Sequence, residues 1–187
     1  MSKIVERTRL LTGWSNIDRI VVRHPDGTTW DRTLEDHGNS AAVLPYDPKR
    51  RTCLLVSQPR PAVISSGALE DILETPAGML DEGETYDVAA RRETIEETGL
   101  LLDTLEFVVK LWTMPGLSTE RTGIFLATYS ANQRVAEGDG LATDDERISL
   151  HEIPLDALGD MIRSGQLEDG KTLVAAQALM LRRPDLF

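Results

Sequence analysis

Between residues 16 and 22 apolar and polar side chains come close to alternating, the period of a strand that buries one face. His24-Pro25-Asp26-Gly27 breaks the pattern, and residues 28–34 resume it as a second β-prone run. An Asp-Gly step between two such runs predicts a hairpin. A sheet this small cannot bury its own faces, so the chain to about residue 37 must lean on the remainder or on another copy. From residue 40 the texture changes to short apolar runs. Residues 41–46 and 52–57 predict strands around the turn Asp47-Pro48-Lys49-Arg50, and residues 71–75 a short strand ending at Pro76. Residues 85–98 hold neither Gly nor Pro and predict a helix stopped by Gly99. Strands are predicted over 104–112 and 122–130, on either side of a loop at 114–120. A strand near Ile148 follows the acidic loop Asp144-Asp145-Glu146, and helices over 155–164 and 171–182 close the chain. Strands with helices between and after them predict an α/β (α+β) sandwich.

Composition changes this picture little. The 187 residues, 41% hydrophobic and 27% charged, suit one domain of usual size with a small appendage. Charge changes it more. Lys and Arg number 20 against 31 Asp and Glu, a net charge of −11. Nucleic acid is therefore not an expected partner, since phosphate contacts need clustered basic residues. A minority of Arg and Lys around one small phosphorylated substrate remains compatible. No stretch approaches the ~20 apolar residues of a membrane span. The first residues lack the apolar core of a signal peptide, so a cytoplasmic protein without membrane contact is expected. Cys53, the single cysteine, excludes an internal disulfide and a thiolate zinc cluster. Its apolar neighbours Leu54-Leu55-Val56 predict a buried strand residue.

The residues that carry chemistry lie between Gly78 and Leu100. On the predicted helix Glu93, Glu96 and Glu97 stand at i, i+3 and i+4 and share one face. Like charges so placed repel one another, and no basic residue at matching spacing fully relieves them, although Arg92 adjoins. Such a face is either a solvated acidic stripe or a site for a hard cation such as magnesium or manganese. Gly78, Gly83 and the residues around Glu84-Thr85 place a tight loop before the helix N-terminus, where backbone amides favour anions. A carboxylate face beside an anion-tolerant loop suits a diphosphate bridged by divalent ions.

This stretch resembles the box of the Nudix hydrolase family. Gly78, Glu84, Arg92, Glu93, Glu96, Glu97 and Gly99 fall at the required spacings, with Leu100 fitting the aliphatic position after them. Seven fixed positions at ~6% usage each give a chance match on the order of 10⁻⁹ per start point. Thr94 departs from the pattern, standing where an aliphatic residue is usual. The resemblance implies an α/β/α sandwich with a mixed sheet, here as a domain over residues 39–187. It also implies a small N-terminal antiparallel β segment, residues 1–38, exchanged with a second subunit in a homodimer. It makes Glu93 and Glu97 the principal metal ligands, joined by the Ala77 carbonyl and, from the acidic loop, Glu146. Glu96 would be a further ligand or a base, Arg92 an orienting partner of the glutamates, and Glu84 a brace for the loop. The metal implied is Mg²⁺, with Mn²⁺ as the alternative.

Outside the box, Pro115 and the segments 129–134, 138–140, 144–146 and 168–172 resemble the branch that hydrolyses nucleoside diphosphate sugars. Within it the GDP-mannose type is favoured over the ADP-ribose type. That resemblance implies catalytic roles for Glu96, Glu97, Glu146 and Arg92. Substrate contacts are implied for Arg60, Gly78, Met79, Glu120, Asp145 and Lys171, and Trp14 and Arg32 complete the partner's nucleotide pocket. Around Arg60 the usual Arg-Gln-Phe/Tyr-Arg context is altered, with Ser57 and Pro59 in two of its positions. Isopentenyl diphosphate isomerisation, which uses a related box, commonly needs a reactive cysteine that Cys53 in an apolar run does not supply. A non-catalytic nucleotide-sugar sensor would have lost box carboxylates, and all of them are present.

Overall fold

The computed structural model describes residues 1–68, 71–136 and 147–187. The chain divides into two compact units: residues 1–39 with 112–121, and residues 40–111 with 122–187.

In the first unit β1 (Lys3–Leu11), β2 (Asn16–Arg23) and β3 (Thr29–Asp36) form an antiparallel sheet in that order. The β2–β3 hairpin is the expected one. Gly27 takes a φ of 88°, and the Asp26 carboxylate accepts from the Thr28 N–H at 3.0 Å. β1 is an addition to the predicted elements. It is exposed along its whole length, so burial selected no face and no alternation marks it. Pairing to β2 holds it, together with Arg7 and Arg9, whose Nε atoms reach the buried Asp18 carboxylate at 2.6 and 2.5 Å. The segment 112–121 belongs to the same unit. Glu35 N–H donates to the Leu117 carbonyl at 2.8 Å, and Ser118 Oγ donates to the Glu35 carboxylate at 2.6 Å. Thr119 Oγ1 donates to Asp36 at 2.8 Å.

The second unit is built on β4 (Ser40–Asp47), β5 (Thr52–Ser57), β6 (Ala77–Met79), β7 (Glu106–Trp112), β8 (Arg121–Thr128) and β9 (Ser149–Pro154). The strand order is β7-β8-β4-β5-β9, with β6 also pairing β4. β4 runs parallel to β8 and antiparallel to β5 and β6, so the sheet is mixed. Helices α1 (Pro61–Ser65), α2 (Tyr86–Thr98), α3 (Leu155–Ser164) and α4 (Gly170–Arg182) complete it. The central strands are buried on both faces, and period two sorts their side chains. Leu44, Tyr46, Cys53, Leu55, Ile124 and Leu126 pack with Leu155, Leu158, Ala175, Ala176 and Leu179 of α3 and α4. Ala41, Val43, Leu54, Phe125 and Ala127 pack with Ala89 and Ala90 of α2. Helices on both faces of one mixed sheet are the α/β/α sandwich that the pattern and the resemblance lead to. Among the described residues no helix is long and apolar enough to cross a membrane.

Two elements of this unit depart from expectation. The strand over 71–75 is reduced to a single bridge between Glu74 and Val56, and the pairing segment is β6 instead. The chain changes partner at Pro76, from β5 before it to β4 after it, so no continuous strand forms. α1, short and opened by Pro61 in its first turn, is an element the apolar pattern does not mark.

Candidate active site

α2 turns small side chains, Ala89, Ala90 and Thr94, toward the core, which lets its backbone lie close to the sheet. At Thr94 the departure from the box is harmless. The residue is fully buried, and its hydroxyl donates to the Ala90 carbonyl at 2.6 Å, so a methyl packs without leaving a donor unpaired. The helix ends at Gly99, which adopts the left-handed conformation at φ 69° and donates its N–H to the Ile95 carbonyl at 2.8 Å.

The loop and the helix meet at Gly78. A Cβ at that position would overlap the Glu93 carboxylate, so a larger residue would displace that side chain and glycine lets it stay. Its φ is not positive, so backbone conformation makes no such demand. One turn on, Glu97 is buried at 3% exposure and accepts from the Ala77 N–H at 3.1 Å. Glu93 and Glu97 thus both face the 77–78 backbone, while Glu96 is the more open of the three glutamates.

Arg92 corrects the expectation that no base at matching spacing relieves these charges. Its Nη1 reaches Glu93 at 2.7 Å and Glu96, one turn on, at 3.2 Å. Nε and Nη2 grip both oxygens of Glu84 at 3.1 and 2.9 Å, and Nη2 also donates to the Met79 carbonyl at 2.8 Å. One planar fork therefore ties the helix to the loop. Glu84 closes the loop from the other side, accepting from the Asp81 N–H at 2.9 Å. The Arg92 guanidinium, with that N–H, holds the Glu84 carboxyl below the usual carboxylate range. Glu84 in turn raises the Arg92 pKa further, against the opposing effect of burial. The donors here are hard oxygens: carboxylates at i, i+3 and i+4 beside the close-lying Ala77–Gly78 backbone. They fit a divalent cation of the magnesium or manganese kind. Among the described residues no closed cage of three ligating side chains is formed.

A second cluster lies just upstream of the box. Arg60, the residue that opens α1, places Nε 2.7 Å from Glu74 Oε2. Lys171, in the first turn of α4, places Nζ 2.6 Å from Glu74 Oε1 and 3.0 Å from Asp169. The two basic residues expected at substrate are thus brought to one carboxylate. Glu74 is a residue the sequence reading missed. The available signal was a carboxylate two positions before the proline that leads into the box.

The remaining candidates fall elsewhere. Asp145 and Glu146 lie outside the described residues. Trp14, Arg32 and Glu120 belong to the first unit. Trp14 is 81% exposed and stacks on His37 with ring centroids 5.0 Å apart. Arg32 covers the Trp30 ring at 3.9 Å, and His24 also stacks on that ring. Trp30 is therefore half-buried. Glu120 accepts from Thr113 Oγ1 at 2.7 Å. Cys53 is buried, and burial pushes its thiol up to about 12, so it is no nucleophile at neutral pH.

Comparison with known proteins matches residues 36–176 to the NUDIX domain. GDP-mannose pyrophosphatase of Cronobacter sakazakii (strain ATCC BAA-894) is 38% identical over 166 residues, 88% of this chain and 82% of that one. GDP-mannose pyrophosphatase of Escherichia coli O157:H7 is 36% identical over 165 residues, again 88% of this chain and 82% of its own. A solved structure described as an ADP compounds hydrolase superposes with a TM-score of 0.78 over 98% of this chain and 95% of its own. At 17% identity that likeness concerns the fold alone.

Proposed function

This chain belongs to the Nudix hydrolase family, and on that premise we propose that it cleaves the diphosphate of a nucleoside diphosphate sugar. GDP-mannose is the favoured substrate, as in the relatives' names, with products GMP and mannose 1-phosphate. ADP-ribose is the second reading, since the position of Pro115 resembles the branch that hydrolyses ADP-ribose and related nucleoside diphosphate sugars. The observation that carries the proposal is the seating of Glu93 and Glu97 on the Ala77–Gly78 backbone, with the Glu93 carboxylate where a Cβ at Gly78 would lie.

Glu93, Glu97 and the Ala77 carbonyl would hold the divalent ion, with Glu146 as a further ligand and Mg²⁺ as the ion we favour over Mn²⁺. Bound there, such an ion withdraws charge from the diphosphate and acidifies water. The chain's own residues do the rest. Arg92 orients Glu93 and Glu96, so that the more open Glu96 is placed to take a proton from the attacking water. Arg60 and Lys171 meet phosphate oxygens, for which a guanidinium fork and an ammonium are suited. Gly78, Met79 and Asp145 complete the substrate contacts. Residues 1–38 and 39–187 act as separate domains, the first completing a homodimer in which Trp14 and Arg32 contribute to the partner's nucleotide pocket, while Glu120 joins the substrate contacts. The setting we assign is cytoplasmic.

A panel of nucleoside diphosphate sugars, compared by kcat/KM with Mg²⁺ and by product chromatography, tests the reading. Nucleoside monophosphate and sugar phosphate are expected. Release of orthophosphate without added phosphatase, or ligand binding without any turnover, overturns it. E97Q keeps the side-chain shape and can still accept from Ala77, yet it should lower turnover by ~10³-fold. Near-normal turnover in E97Q would remove Glu97 from the metal site.

A further inference from the structure

Glu74 is a buried carboxylate outside the box that takes two cations at once. It is 4% exposed, and its backbone is fixed on both sides, N–H to the Val56 carbonyl and carbonyl to the Val56 N–H, each at 2.8 Å. The next residue is pinned as well: Thr75 N–H donates to Thr172 Oγ1 at 2.6 Å, and Thr172 is itself bound to Asp169, the N-cap of α4. The side chain therefore projects from a strap anchored to β5 and to α4. Its two oxygens take different cations, Oε2 the Arg60 Nε at 2.7 Å and Oε1 the Lys171 Nζ at 2.6 Å. Those cations come from the starts of two different helices, 111 positions apart in the chain (171 − 60). Long basic side chains carry large rotamer freedom, and an ion pair to a fixed carboxylate removes it before a ligand arrives. Three residues beyond Glu74, the same segment meets Glu97 through the Ala77 N–H.

We propose that Glu74 is a positioning residue. It acts through Arg60 and Lys171, holding both cations as a preformed clamp for the diphosphate of the substrate, and it touches no reacting atom itself. This rests on the hydrolase reading above. A carboxylate is needed because it accepts at both oxygens, whereas a glutamine offers one acceptor and one donor. In E74Q one of the two cations must face an amide N–H and lose its place. A clamp that grips the diphosphate equally in ground and transition states governs KM and leaves kcat alone.

The test uses the full chain in two arms. In the first, E74Q should raise KM for the best nucleotide sugar by ~10-fold with kcat within ~3-fold of wild type, in contrast to the kcat loss of E97Q. In the second, titration of inorganic pyrophosphate without divalent metal should show affinity falling by a similar factor. E74D keeps the charge and both acceptors but is one methylene short, and should lie between wild type and E74Q in both arms. Should E74Q not fold, E74D carries the test. A lowered melting temperature with KM and pyrophosphate affinity unchanged would make Glu74 a structural brace and overturn the proposal. So would tighter pyrophosphate binding, which would make Glu74 a competitor for the cations, or a kcat loss at constant KM. Wild-type protein that turns over no nucleotide sugar defeats the hydrolase reading alone, and the pyrophosphate arm then decides on Glu74. Wild-type protein that binds no pyrophosphate overturns the clamp.

Discussion

Arg92 and Glu84 form a two-pronged polar joint at the box, and their pairing has a pH signature. Glu84 is held below its ordinary 4.5, so its contribution to stability is present above that value and is lost as pH falls through the lower, folded one. The difference in melting temperature between wild type and E84Q should be constant above about pH 5 and shrink steadily below 4.5. A difference that stays unchanged down to pH 3 would mean that Glu84 does not brace the loop electrostatically. The same joint shows why side-chain spacing is only partly informative. The i, i+3, i+4 arrangement of Glu93, Glu96 and Glu97 is legible from numbers alone. That Glu97 is buried, and that Arg92 reaches across to Glu84 and Met79 O, depends on how the 77–85 loop folds back over the helix.

At the scale of elements, α2 depends on how it stops. Gly99 sits at φ 69°, and a Cβ there would also collide with the Ala136 carbonyl. G99A should therefore cost about 2–4 kcal/mol from backbone strain and crowding together. That corresponds to a melting temperature lower by roughly 5–15 °C, readable by calorimetry. An unshifted melting temperature would show that the turn relaxes freely. Elements that bury one face, or both, were readable before the structure: the β2–β3 hairpin, β4, β5, β8, α2, α3 and α4 all lie where periodicity and punctuation put them. β1 was not readable, because all its residues are exposed and burial leaves no trace in its pattern. α1 is too short for any helical period to repeat. Glu74 escaped for another reason. Its partners lie 14 and 97 positions away, and only the tertiary fold brings them together.

For the whole molecule, the first unit leaves a nine-residue edge strand with Ile4, Val5, Leu10 and Leu11 exposed, and Trp14 beside it. Native chains seldom leave such an edge uncovered, and a two-fold partner is the commonest cover. Deleting residues 1–37 should yield a monomeric or aggregating protein by sedimentation, with KM for the nucleotide sugar raised by ~10-fold or more. A truncated chain that is soluble, monomeric and fully active would remove the dimer from the mechanism. The deletion would also strip Glu35 and Asp36 from the 112–121 segment, which is tied to them in the intact chain. The sealed position of Cys53 bears on how such experiments are done. With its thiol fully covered and protonated near neutrality, the wild-type chain offers maleimide reagents no reactive sulfur. A cysteine introduced on the surface would be the only one to take a dye or spin label, so the natural chain already serves as the silent background that distance measurements require.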